Sequence, residues 1–167
     1  FCNEAENGPT ACSDAVDNDS DGLSDCHDAN CSASAACPNG AVADTCAGAP
    51  RIEATTWSDT FGTCGYTSDF DQSSSGQCRK MGSGGDVIVQ FVAPEAGTYR
   101  VAYTTGLANS GTFDSIINVV EAATCPTGSL TTCAVGVDDE ASSSPVESLV
   151  FEAAAGASFW IIADAYG

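Results

Sequence analysis

The chain has 167 residues, with 23 Asp and Glu against four Lys and Arg, for a net charge of −19. That balance excludes a binder of nucleic-acid backbones and repels anionic membrane surfaces; it suits a protein that takes up divalent cations, and equally one adapted to high salt. Ten cysteines beside a single histidine point to disulfides and an oxidising compartment, so the expected location is extracellular or at the cell surface.

The first 46 residues hold six of those cysteines, at positions 2, 12, 26, 31, 37 and 46, and no Lys or Arg. Large apolar side chains are few there, Phe1 and Leu23 being the main ones. Such a segment cannot bury enough apolar surface to fold on that basis, so crosslinks and metal must hold it. Zinc is disfavoured because Cys26, Cys31, Cys37 and Cys46 form no paired C-x2-C knuckles. Calcium is favoured by Asp17-Asn-Asp-Ser-Asp-Gly-Leu-Ser-Asp-Cys-His-Asp28. Read as a twelve-residue calcium loop, it puts Asp17, Asp19 and Asp21 at the first, third and fifth positions, with Gly22 at the sharp bend. The Leu23 carbonyl, Asp25 and Asp28 complete the expected oxygen ligands. No amphipathic helices flank the loop, and Cys12, Cys26 and Cys31 bracket it, so it reads as a permanently filled structural site rather than a sensor.

From residue 47 to 167 the composition changes to β-branched and aromatic runs broken by Gly, Pro and Ser. Expected strands cover 51–57, 86–93, 98–104, 115–121, 130–135, 147–153 and 158–163. The 86–93 run is almost continuously apolar, as in a strand covered on both faces, whereas 98–104 alternates, with Tyr99, Val101 and Tyr103 on one face. Residues 154–157 read as the hairpin connection between the last two strands. Short strands spaced by turns, without a 3.6-residue period, predict an all-β, jelly-roll-like sandwich beneath the small calcium- and disulfide-stabilised segment. By order along the chain, Cys64 is expected to pair with Cys78 and Cys125 with Cys133. Asp114, Asp138 and Asp139 read as loop carboxylates facing water in preference to a second calcium site.

The segment from Cys12 to Cys31 resembles the acidic, Cys-rich calcium repeats of secreted bacterial surface proteins and the thrombospondin type 3 repeats. The remainder resembles the bacterial pre-peptidase C-terminal domain, a CUB-like β-sandwich, through Gly85-Asp-Val-Ile-Val-Gln-Phe91, Ala96-Gly-Thr-Tyr-Arg-Val101, Phe113-Asp-Ser-Ile-Ile-Asn-Val119 and Ala155-Gly-Ala-Ser-Phe-Trp-Ile-Ile-Ala-Asp164. That resemblance implies a non-catalytic module. It also implies one more strand than the sequence supplies, so either this is a fragment of a longer chain or the edge is filled by another chain. In the second case strand exchange with a neighbour is the expected route to a filament or surface polymer.

Catalytic chemistry has little to work with. The only histidine, His27, lies inside the calcium loop, and there is no G-x-S-x-G elbow. The chain therefore reads as a structural or adhesive part that associates with itself or with neighbouring surface-protein domains. The alternative is a carbohydrate-binding accessory domain of a secreted hydrolase, for which an exposed Trp57 or Trp160 is the discriminating feature. Neither nucleic acid nor membrane insertion is expected: no stretch approaches the ~18 apolar residues of a spanning helix.

Overall fold

The computed structural model describes residues 10–16, 18, 24–27, 31, 44–46, 48–60, 66–70, 76–82, 84–104, 114–138 and 146–165. The described residues form seven strands: β1 (Arg51–Ile52), β2 (Val87–Val92), β3 (Gly97–Thr104), β4 (Ser115–Glu121), β5 (Val135–Val137), β6 (Val146–Ala153) and β7 (Ser158–Ala165). Two single 3₁₀ turns, Ala11–Ser13 and Asp25–His27, lie in the amino-terminal segment. No helix among the described residues is long and apolar enough to cross a membrane.

The strands make two sheets. One has five strands in the order β1-β2-β7-β4-β5, and the other is the antiparallel ribbon β3-β6. The all-β expectation holds. β7 lies at the centre of the large sheet, antiparallel to β2 on one side and to β4 on the other. Because side chains alternate along each strand, one face of this sheet presents Phe91, Ile117, Val119 and Phe159 to Leu149, Phe151 and Ala153 of the ribbon. Its aromatic heart packs tightly: Phe91 and Tyr99 lie edge-to-face with centroids 4.8 Å apart, and Phe151 and Phe159 are also 4.8 Å apart.

The opposite face is just as apolar, with Ile88, Ile116, Val120, Trp160 and Ile162 buried. No sheet covers it. Irregular segments do, placing Phe70, Cys78, Met81 and Leu130 over it with Cys46, Cys125 and Cys133 at the margin. Irregular backbone cannot satisfy its polar groups in a ladder, and two devices replace the ladder here. Disulfides Cys46–Cys125 and Cys78–Cys133 tie the covering segments together, with Cα–Cα distances of 6.0 and 5.0 Å. The buried Asn118 of β4 supplies the second: its Oδ1 accepts from the Arg79 amide at 2.8 Å, and its Nδ2 donates to the Arg79 carbonyl at 3.1 Å. Gly136 of β5 is required by this approach. A Cβ there would meet Asn118 Oδ1 and would lie 2.7 Å from the Gln77 carbonyl oxygen.

Several expectations are corrected. Cys78 pairs with Cys133 rather than Cys64, and Cys125 with Cys46: partners are chosen by what overlies the sheet, not by nearness in sequence. Strand β1 is only two residues long, and residues 53–60 continue as irregular chain. The strand expected at 130–135 falls instead at Val135–Val137. The turn at 154–157 forms, with Gly156 at φ +79°, yet it is an arch rather than a hairpin loop, because β6 and β7 lie in different sheets. It is fastened to the arch after β2: Gly156 N donates to the Ala93 carbonyl at 2.8 Å and Ala93 N to the Ala157 carbonyl at 2.9 Å.

Replacing Cys78 and Cys133 together by Ala is expected to lower stability by about 2–5 kcal/mol, and Asn118→Leu by about 1–3 kcal/mol through the stranded Arg79 groups. Denaturant midpoints measure both. An unchanged midpoint in either variant would contradict the role assigned to the covering segment.

Candidate functional site

Two acid-rich regions compete for attention. In the amino-terminal segment, Cys12 and Cys31 form a buried disulfide with Cα atoms 5.5 Å apart, against which Cys26, also disulfide-bonded, packs. Of the expected calcium ligands, Asp25 is described, whereas Asp17, Asp19, Asp21, Leu23 and Asp28 lie outside the described residues. Asp25 opens the second 3₁₀ turn in the left-handed region, at φ +53°, which Asp tolerates better than most residues. Its carboxylate grips the chain eleven residues earlier: Oδ1 accepts from the Asp14 amide at 2.9 Å and Oδ2 from the Ala15 amide at 3.0 Å. Ala15 is itself left-handed, at φ +58°, so this carboxylate fixes an unfavourable backbone turn. Asp14 folds its Oδ1 back onto the Val16 amide at 3.0 Å and receives Asn18 Nδ2 at 3.3 Å. The entry to the loop is thus organised by carboxylates acting on backbone amides. The ninth position of such loops commonly reaches the ion through a water, which suits a carboxylate already engaged in this way.

The second region lies at one end of the large sheet. β2 and β7 are antiparallel with Val87 opposite Ala163; Asp86 and Asp164 are the next residue beyond that pair on each chain segment, and the charge of Asp164 acts on Asp86. Both are almost completely buried, at 0 % and 1 % exposure. Asp86 Oδ2 accepts from the Asp69 amide at 2.5 Å and the Phe70 amide at 2.9 Å, fixing the 66–70 segment whose Phe70 enters the outer core. Asp86 Oδ1 is buried without a hydrogen-bond partner. Burial pushes the Asp86 carboxyl up to about 7; the two amide bonds oppose the shift, and the charges of Asp164 and Asp69 reinforce it. Tyr103 of β3 is pushed up to about 12, by burial first and then by Asp164.

A line of acids continues outward from this pair. Thr67 Oγ1 lies 2.9 Å from Asp69 Oδ2 and 3.0 Å from Asp44 Oδ2, and Asp44 Oδ1 also accepts from the Thr67 amide at 2.8 Å. One hydroxyl proton serves two carboxylates there. Asp114 and Asp138 are half-buried, and Asp139 lies outside the described residues. Among the described residues no three His, Cys, Asp or Glu side chains converge as a metal site.

Sequence reasoning missed Asp86 and Asp164 as special positions. The available signal was an Asp at the start of one apolar run and another at the end of a second, which come to the same end of the sheet once those runs pair antiparallel. Trp160 is buried in the outer core, whereas Trp57 is 44 % exposed in the irregular 53–60 segment. No protein-family model, curated protein or solved structure matches the chain.

The two tryptophans give a direct check. Acrylamide is expected to quench the emission of native protein in two populations, and Trp57→Phe is expected to remove the accessible one. Equal quenching in the variant and the native chain would contradict the buried setting of Trp160.

Proposed function

We propose that the chain is a secreted, non-catalytic structural or adhesive module, braced by calcium in its amino-terminal loop and joined to neighbours by strand addition. The observation that carries the second half is the β3-β6 ribbon. Among the described residues each of its strands is hydrogen-bonded on one side only, and the outward face of β6 bears the exposed Val150. Sheet edges of this kind recruit further strands. Calcium binding is supported by the register of Asp17, Asp19, Asp21, Asp25 and Asp28 about Gly22 and by the resemblance of the segment to extracellular calcium repeats. Secretion is supported by the disulfides, which do not persist in a reducing cytosol.

A second reading, binding of carbohydrate as an accessory module, is favoured by one feature, the exposed indole of Trp57. Aromatic faces of this kind stack on sugars, and neighbouring Asp and Thr side chains supply hydrogen-bond partners.

Negative-stain imaging of native protein in millimolar calcium, repeated after chelation with EGTA, separates these readings. Ordered fibres that come apart on chelation are expected of a calcium-braced polymer. Single small particles under both conditions would retire the polymer, and glycan screening of native chain against Trp57→Ala would then test the second reading.

A further inference from the structure

The carboxyls of Asp86 and Asp164 are not explained by the calcium loop or by strand addition, and they stand on a different part of the chain. Three observations bear on them. Both side chains are buried, each one residue beyond the last register pair Val87–Ala163 of β2 and β7, and the charge of Asp164 acts on Asp86. One oxygen of Asp86 holds two amides of the 66–70 segment. The other is buried without a hydrogen-bond partner, a state that is costly for an ionised carboxylate and relieved by a proton, which converts the atom from acceptor to donor.

Among the described residues the charges that act on Asp86 are both negative. They are the carboxylates of Asp164, from β7, and Asp69, from the covering segment. Beyond them stand Asp44, bound to Thr67, and from β3 the phenol of Tyr103, which senses Asp164. Of the described cations, Arg51 is engaged with Glu53 at 2.7 Å, and Arg79 directs its Nε to the Gly136 carbonyl at 3.2 Å. Two like charges in such surroundings cannot both form at low cost.

We propose that Asp86 and Asp164 hold one proton between them and act as a pH-sensitive latch on the 66–70 segment, closed while the proton is present and loosened when it leaves. The proton goes to solvent, toward which the Asp69–Thr67–Asp44 line leads. Loss of the proton strengthens the Asp69 and Phe70 amide bonds, which favour the charged form, but leaves a buried charge beside Asp164 whose desolvation outweighs them. Water reaches that charge by lifting the 66–70 segment with Phe70. The folded carboxyl binds its proton more tightly than the unfolded one, so its contribution to stability is complete below the ordinary carboxylate value of 3.8 and is lost as the pH rises toward about 7. In a secreted protein the latch would be closed in acidic surroundings and eased in neutral ones.

The test uses the full chain and follows the Asp86 side-chain carboxyl carbon by NMR across pH, together with unfolding of native protein, Asp86→Asn and Asp164→Asn. Asp86 is expected to titrate near neutrality, and Asp164→Asn is expected to bring that titration down. In unfolding, the equilibrium constant of native protein relative to Asp86→Asn is expected to rise by up to about tenfold per pH unit across the window. Amide exchange at Phe70 should quicken over the same range in native protein and not in Asp86→Asn. Titration of Asp86 in the ordinary carboxylate range would overturn the latch, and the NMR measurement does so even if neither variant folds. Running the titration in EGTA and in millimolar calcium supplies the other decisive outcome. An unchanged curve is expected, whereas a neutral-range titration that calcium abolishes would make the pair a cation site instead. Neither result touches the amino-terminal loop, which contains none of these residues.

Discussion

A sheet that is apolar on both faces must be covered twice, and the rest of this structure follows from how the second cover is made. The ribbon β3-β6 covers one face by regular alternation, with Leu149, Phe151 and Ala153 facing in and Ser148, Val150 and Glu152 facing out. The other face holds Trp160 and three isoleucines. Its burial is worth about 1.5–3 kcal/mol for each large side chain, but only if irregular chain can be held over it. That chain loses conformational freedom without a ladder to compensate. Two disulfides reduce the entropy of the unfolded chain, while Asn118 and Asp86 give covering amides their partners. Strand, crosslink and buried polar group thus solve one problem together. Removing any one of them leaves the others holding a segment with unsatisfied backbone groups.

The described part of the amino-terminal segment around Cys12 and Cys31 meets the same problem with little apolar area. Its buried described side chains are the half-cystines Cys12 and Cys31, and its turns are set by carboxylates bonded to amides, as with Asp25 on Asp14 and Ala15. Charge, rather than apolar area, shapes the backbone there. Each carboxylate that orders this segment adds to the repulsion within it, the conflict that the calcium proposed for the loop would relieve.

How far the structure could be read in advance depended on what kind of contact fixed each part. The strands at 86–93, 98–104, 115–121, 147–153 and 158–163 were legible because apolar pattern and sheet burial are the same physical fact. Even the two-sided burial of β2 was visible in its unbroken run. Partnership between strands was not, since β6 and β7 follow each other through a tight turn and yet separate into different sheets; the turn at Gly156 is compatible with a hairpin or an arch. Cysteine pairing was equally hidden, because Cys46 meets Cys125 across 79 intervening steps of chain only after the sheet has brought both to its outer face. Within the candidate sites, the register of Asp17 to Asp28 is a reading of spacing whose ligands lie mostly outside the described residues, whereas Asp86 looked like an ordinary acid at a strand start. Its burial is created by the 66–70 segment, and no local pattern encodes that.

Asn118 and Asp86 invite a comparison that bears on why a chain this acidic buries acids at all. Both project from the outer face of the same sheet, and both bind backbone groups of a covering segment, Asn118 at Arg79 and Asp86 at Asp69 and Phe70. An apolar residue at either place could fill the volume but would leave the amides unpaired, which costs more than the polar group itself. An amide suffices at Asn118 because it must meet both a donor and an acceptor on Arg79. At Asp86 both partners are donors, so an acceptor-only group is the natural match. The carboxylate therefore enters the interior for its acceptor strength, and Asp164 across the strand makes its charge difficult to keep. A proton reconciles these two demands, since a carboxylic acid retains a carbonyl oxygen for the amides while shedding the charge that Asp164 opposes.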